Sequence, residues 1–178
     1  MHLRRSAIAL IALLLVGTPA LAAPQEGDLV VILVRHAETE FPDDAEDPRN
    51  PFLREVGLAQ AARLAELLAP AGLDRVYSTE YHRTWSTATP SADATGLEVQ
   101  PYDPSDLLGF AEELKGMQGR ILVVGHSNTT PMLVEALGGD PGEPIDEKTE
   151  FNRLYTLTWR SEGLTTEMTH YGESLEHR

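Results

Sequence analysis

The chain has 178 residues, 42% of them hydrophobic, no cysteine, and 28 acidic against 14 basic side chains, a net charge of −14. That length suits one domain with a sizeable core and is too short for two. The absence of cysteine excludes disulfides, thiolate nucleophiles and Cys-type zinc sites, and the acidic balance argues against nucleic acid or an anionic membrane as a partner.

At the N-terminus, Arg4 and Arg5, an apolar run at residues 7–16 and the small-residue site Ala20-Leu21-Ala22 follow the order of a secretory signal. The run is too short to span a bilayer, which takes about 20 residues. Residues 1–22 are therefore expected to be a signal peptide and residues 23–178 one mature domain, periplasmic or secreted, with no membrane contact after cleavage. Loss of Arg4 and Arg5 would leave 12 basic against 28 acidic side chains, a net charge of −16.

Residues 29–34 are uniformly apolar, as in a parallel strand buried on both faces, and Arg35-His36 stands at its exit. The loop at residues 38–51 carries many carboxylates among its prolines, but without the alternating ligands and turn glycine of a calcium loop, so no metal is expected there. Val56, Ala59, Leu64, Leu67 and Leu68 recur at helical spacing, and Pro70-Ala71-Gly72 stops that helix. Residues 74–78 read as a second strand. A second helix is expected from Glu80 to about Ala94, interrupted or ended near Pro90, and a short third strand at residues 97–100. Asp103-Pro104-Ser105-Asp106 is expected to open the third helix, with proline near its first turn, and Lys115-Gly116 to close it. Residues 121–124 form the fourth strand, and Asn128 is expected to cap a helix running to Leu137. Residues 154–159 and 164–170 alternate like an antiparallel hairpin. Strands alternating with helices predict an α/β fold, a three-layer sandwich around a mostly parallel, mixed central sheet.

Two strand exits carry imidazoles, Arg35-His36 and Gly125-His126, and the second helix carries Arg83 near its start. Strand exits at the carboxyl edge of such a sheet are where α/β proteins bind ligands, and an anionic group is the natural occupant here. Transferring a phosphoryl group needs an in-line nucleophile and fixed positive charge around the equatorial oxygens, which two arginines and two histidines supply without a metal. A nucleophilic histidine must be neutral at one nitrogen, which requires a backbone acceptor for the other N–H. His82, next to Arg83, is rotated about 100° from it on a helix and reads as a peripheral or surface residue. His170 and His177 lie in the tail without a motif.

Arg35-His36-Ala37-Glu38-Thr39, the helix opening around Gly57, Thr79 to Ala88 with Arg83, and Gly125-His126-Ser127-Asn128 resemble, in this order, the histidine phosphatase superfamily, branch 1. That group contains the phosphoglycerate mutases and their phosphatase relatives, and the resemblance covers nearly the whole mature chain. It implies a phosphoglycerate mutase-like fold and a catalytic set of His36, Arg35, Arg83 and His126. His36 would become a transient phosphohistidine, the two arginines would clamp phosphate oxygens through their planar forks, and His126 would complete the clamp. Asn128, at a helix start, and the Thr39 hydroxyl are candidate substrate-binding groups, although capping and turn formation respectively would also account for them.

The chain departs from the family pattern at Ala37, where glycine is more familiar, at Pro42, near a mutase substrate-binding asparagine, and at Thr79, for a more usual serine. Only about twenty residues separate Gln100 from Ile121, so the long insertion that carries the mutase glutamate acid is missing. Asp103 and Asp106, just beyond the third strand, are the candidate general acids, with helix capping as their alternative role. The expectation is an exported, metal-independent phosphatase without cofactor, acting on a small phosphorylated substrate. A compact lidless form also resembles the phosphohistidine phosphatases, and a non-catalytic phosphate-ester binding module is the alternative from another class. The sequence leaves oligomeric state open.

Overall fold

A computed structural model describes residues 28–172, so the expected signal peptide at residues 1–22 lies outside the described residues, as does His177. In chain order the elements are β1 (Leu29–Arg35), α1 (Glu55–Leu68), β2 (Arg75–Ser78), α2 (His82–Thr95), β3 (Val99–Pro101), α3 (Leu107–Lys115), β4 (Gly119–Gly125), α4 (Thr129–Ala136), β5 (Arg153–Arg160) and β6 (Gly163–His170). A 3-10 turn, Ala69–Ala71, closes α1 at the Pro70 stop signal.

The composition of β1 requires cover on both faces, because successive side chains of a strand point to opposite sides. Leu29, Val31 and Leu33 pack with Leu107, Phe110 and Leu114 of α3 and Leu133 and Val134 of α4. Val30, Ile32 and Val34 pack with Leu64 and Leu68 of α1 and Ala88 and Ala92 of α2. None of these six strand residues is more than 5% exposed, and burying each contributes about 1.5–3 kcal/mol.

The sheet order is β3-β2-β4-β1-β5-β6. β3, β2, β4 and β1 run parallel, and the β5-β6 hairpin joins antiparallel along β1. This is the three-layer, mixed α/β sandwich that the alternation of strands and helices predicts.

Local differences from the expected elements have identifiable causes. α2 runs unbroken through Pro90. Proline offers no N–H to the Ser86 carbonyl, a loss of about 3 kcal/mol in a helix interior, but Thr84, Thr87, Ala88, Ser91 and Ala92 form one buried face across it. That face of small residues lets α2 pack along α1, which holds the two halves of the helix in line. α3 starts at Leu107 rather than at Asp103-Pro104. Asp103 folds back onto the Ser105 N–H and hydroxyl, both at 2.8 Å, and Asp106 takes the cap, accepting from Gly109 N at 2.9 Å.

α4 begins just after Asn128, but the Asn128 side chain makes no capping hydrogen bond. Thr129 Oγ1 closes that turn instead, accepting from His126 N at 3.1 Å. Gly57 sets the approach of α1 to the segment after His36, since a Cβ there would lie 2.0 Å from the Glu38 carbonyl oxygen. Among the described residues no helix is long and apolar enough to cross a membrane.

Candidate active site

β1 and β4 are parallel neighbours whose last residues, Arg35 and Gly125, are in register. Past β1 the chain builds the α1/α2 layer, and past β4 it builds α4 on the opposite face. The crevice between two such strand exits is the topological switch point of the sheet. His36 N donates to Gly125 O at 2.9 Å, which ties the two exits together. The rings of His36 and His126 consequently sit edge to face, with centroids 5.7 Å apart.

His36 is 7% exposed. Its Nδ1 lies 2.8 Å from the Ala37 carbonyl oxygen. A carbonyl only accepts, so Nδ1 carries the proton and Nε2 keeps its lone pair. Burial lowers the His36 pKa to about 3, against the pull of the Ala37 bond and with Arg35, Arg83 and His126 lowering it further. The imidazole is therefore neutral at physiological pH, as a nucleophile must be.

The tautomer of His126 follows from a chain of hydroxyl groups. Thr84 Oγ1 donates toward the carbonyls of Thr79 at 3.0 Å and Tyr81 at 2.9 Å. Its oxygen is then the acceptor for the Thr79 hydroxyl at 2.8 Å. Thr79 Oγ1 in turn accepts from His126 Nε2 at 3.1 Å. That leaves His126 Nδ1 unprotonated, facing Arg83 Nη2 at 3.4 Å. Burial, then Arg83 and Arg35, lower the His126 pKa to about 4.

The two arginines are anchored by backbone carbonyls. Arg35 Nη1 donates to Glu150 O at 3.0 Å and Asp146 O at 3.3 Å, and Nη2 to Glu147 O at 2.8 Å. Its guanidinium lies 4.0 Å from the centroid of the Phe151 ring. Among the described residues the buried Arg35 Nε has no hydrogen-bond partner, whereas both terminal nitrogens are occupied by the three carbonyls. Burial lowers its pKa to about 10 while Glu147, Asp146 and Glu150 raise it, so the group stays charged at neutral pH. Arg83 Nη1 donates to Arg49 O at 3.1 Å, and its guanidinium lies 4.4 Å from the Tyr81 ring centroid.

Arg83 and His126 open onto a cavity of about 350 Å³ that is also lined by Tyr81, Ser105, Asn128 and Thr129. The structure thus gathers Arg35, His36, Arg83, His126 and Asn128 at one sheet edge. Thr39 is partly buried and pairs with Leu53 in an isolated antiparallel bridge. Asp103 and Asp106 bracket Pro104 and Ser105, and their carboxylates make the turn and cap bonds given above. The Ser105 bonds hold the Asp103 carboxyl below its ordinary pKa.

Sequence reasoning missed Tyr81, Thr84, Phe151 and the 146–150 turn. Tyr81, two residues before Arg83, is the one with a local signal, as a ring next to a guanidinium. Among the described residues no group of three or more histidine and carboxylate side chains is placed to hold a metal ion.

Residues 31–104 match the model of the histidine phosphatase superfamily (branch 1). Phosphoserine phosphatase 1 of Hydrogenobacter thermophilus is 36% identical over 107 residues, 59% of this chain and 43% of that protein. The match therefore spans less than half of that relative's length. An Escherichia coli protein assigned as an alpha-ribazole-5′-P phosphatase superposes with a TM-score of 0.64 at 18% identity, covering 80% of this chain and 96% of that one. An Agrobacterium tumefaciens protein assigned as the phosphohistidine phosphatase SixA gives 0.62 at 22% identity, covering 81% and 99%. At these identities the solved structures establish a shared fold.

Proposed function

We propose, from the match of residues 31–104 to the histidine phosphatase superfamily (branch 1) and from a fold shared with phosphatases of that kind, that the chain is a member of this superfamily and hydrolyses a phosphomonoester through a phosphohistidine on His36. The observation that carries this reading is the neutral His36, with its proton held on Nδ1 by the Ala37 carbonyl and its lone pair on Nε2, beside two guanidinium groups. Nε2 attacks phosphorus as the P–O bond to the alcohol breaks and the leaving oxygen takes up a proton. Water then attacks phosphorus, the P–N bond breaks, and inorganic phosphate and neutral His36 are regenerated.

Arg35 Nε–H and Arg83 stabilise the equatorial oxygens of each transition state. An incoming phosphate competes with His126 for the Arg83 donor, and its negative charge raises the His126 pKa, so that His126 Nδ1 becomes a further donor. This chemistry requires neither metal nor cofactor. Asn128, through its amide, and Thr39, through its hydroxyl, are the proposed further substrate-binding groups.

Asp103 and Asp106 are the proposed sources of the leaving-group proton, since the two residues between them, Pro104 and Ser105, line the cavity. With Asp103 held ionised, the protonated fraction at neutral pH is small, and poor leaving groups are expected to react slowly. The neutral, hydrogen-bonding lining by Tyr81, Ser105, Asn128 and Thr129 suits a small hydroxylated alcohol, a class that includes the phosphoserine of the named relative.

A phosphohistidine on a protein is the second reading, favoured by the short connection from Pro101 at the end of β3 to Leu107 at the start of α3, which carries no covering insertion. Export of the mature chain to the periplasm or medium is part of the proposal and favours the small substrate.

A panel of aryl phosphate, small phosphomonoesters and a phosphohistidine peptide tests the function. The expected result is many turnovers on the esters, inhibition by vanadate as a trigonal-bipyramidal mimic, and full activity in excess EDTA. Binding without product would identify a non-catalytic phosphate-binding module, and exclusive hydrolysis of the peptide would favour the second reading.

A further inference from the structure

The terminal nitrogens of Arg35 are held by carbonyls that all come from one turn at residues 146–150, while Nε–H has no partner among the described residues. This turn is closed twice. Glu150 N donates to Asp146 O at 3.0 Å, and Asp146 N donates back to the Glu150 carboxylate at 3.2 Å. Closure aims the carbonyls of residues 146, 147 and 150 at the guanidinium.

The Glu150 carboxylate is itself gripped at both oxygens by Arg153, from Nε at 2.5 Å and from Nη2 at 2.7 Å. Arg153 is 6% exposed. Its remaining Nη1 reaches the Glu143 carbonyl at 2.5 Å and Tyr155 Oη at 3.0 Å, so it also fastens the segment leading into the turn. A fork-to-fork ion pair of this kind fixes orientation as well as charge.

We infer that the Arg153–Glu150 pair, at the start of β5, positions Arg35: it holds the 146–150 turn so that its carbonyls occupy the Arg35 terminal nitrogens and leave Nε–H directed at the anion. Arg153 and the Glu150 carboxylate are positioning groups that act on Arg35 through the turn, of which the Glu150 carbonyl touches Arg35 directly. The inference rests on the phosphatase reading for its kinetic consequence, but not for its geometry.

The experiment uses the whole chain with Glu150→Gln, which keeps shape and removes charge, and Arg153→Met, with circular dichroism to confirm folding. Two readouts separate this inference from the function. In nitrogen-resolved NMR of the free protein, the Arg35 Nε–H signal, identified by its loss in Arg35→Lys, is expected to be slow to exchange in wild type and at least about 10-fold faster in Glu150→Gln, the variant more certain to fold. With aryl phosphate, each variant is expected to lower kcat/KM by about 10- to 100-fold, the scale of a misplaced catalytic group.

In an Arg35→Lys background that loss should shrink to less than about 2-fold, while in Arg83→Lys it should persist, because non-additivity marks residues acting through one another. An unchanged Nε–H signal, or equal losses in both backgrounds, overturns the inference. A wild type without turnover whose Nε–H signal still responds to Glu150→Gln supports the positioning role and counts against the phosphatase reading alone.

Discussion

At His36 the burial that keeps Nε2 unprotonated also links folding to pH. Its folded pKa of about 3 and that of His126, about 4, lie below the ordinary 6.5 of an exposed histidine. Between these values the unfolded chain binds protons that the folded chain does not, so stability falls as pH drops from about 6.5, by up to about 1.4 kcal/mol per pH unit for each histidine. The contribution is fully present above pH 6.5 and lost toward the folded pKa values. Thermal melts of wild type and His126→Gln from pH 7 to pH 4 test this, and the variant should show the shallower acid limb. Both imidazoles were legible in the sequence because each follows a run of buried strand residues, and so was the need for a backbone acceptor at one ring N–H, although not that the nitrogen is Nδ1. Thr84 was not, since its part in fixing the His126 tautomer depends on the turn that brings the Thr79 and Tyr81 carbonyls to one hydroxyl. Phe151, Glu150 and Arg153 were equally illegible, because Phe151 and Glu150 meet Arg35, and Arg153 grips Glu150, only after β5 has docked beside β1.

Among the elements, α3 carries the open question of the leaving-group proton. The Asp106 cap bond predicts that Asp106→Ala lowers stability by about 1 kcal/mol. If Asp103 or Asp106 protonates the leaving oxygen, its Asn variant should slow alkyl phosphates by about 10² while sparing aryl phosphates, whose alcohols leave unaided. A leaving-group series for wild type, Asp103→Asn and Asp106→Asn separates the roles, and unchanged slopes in both variants would move the acid elsewhere. The order and type of the elements could be read from periodicity, but their ends could not. Pro90 signals a break that the small-residue face of α2 overrides by packing on α1. Asp103-Pro104 signals a helix start, yet Asp103 bonds locally to Ser105 and the cap moves to Asp106.

On the scale of the whole molecule, the chemistry is set by one topological fact. β1 and β4 lie side by side and send their chains to opposite faces, so Arg35, His36 and His126 converge at a crevice that no single segment could build. The net charge of −14 repels anions at long range, but beyond about 8 Å this field is screened at physiological salt, so the proposed phosphate binding falls to the local cations Arg35 and Arg83. The three-layer sandwich was legible from alternating strand and helix patterns, and the hairpin from its period of two. The packing of the 146–150 turn against Arg35 was not, because the turn lies more than a hundred residues away in sequence and carries no motif. The central claim is that His36 carries the phosphoryl group, and rapid-quench trapping with radiolabelled aryl phosphate tests it most directly. Wild type should yield a stoichiometric phosphoenzyme, labile in acid and stable in base, that is absent from a folded His36→Ala variant. Turnover by wild type with no trapped label, or undiminished turnover by His36→Ala, would contradict it.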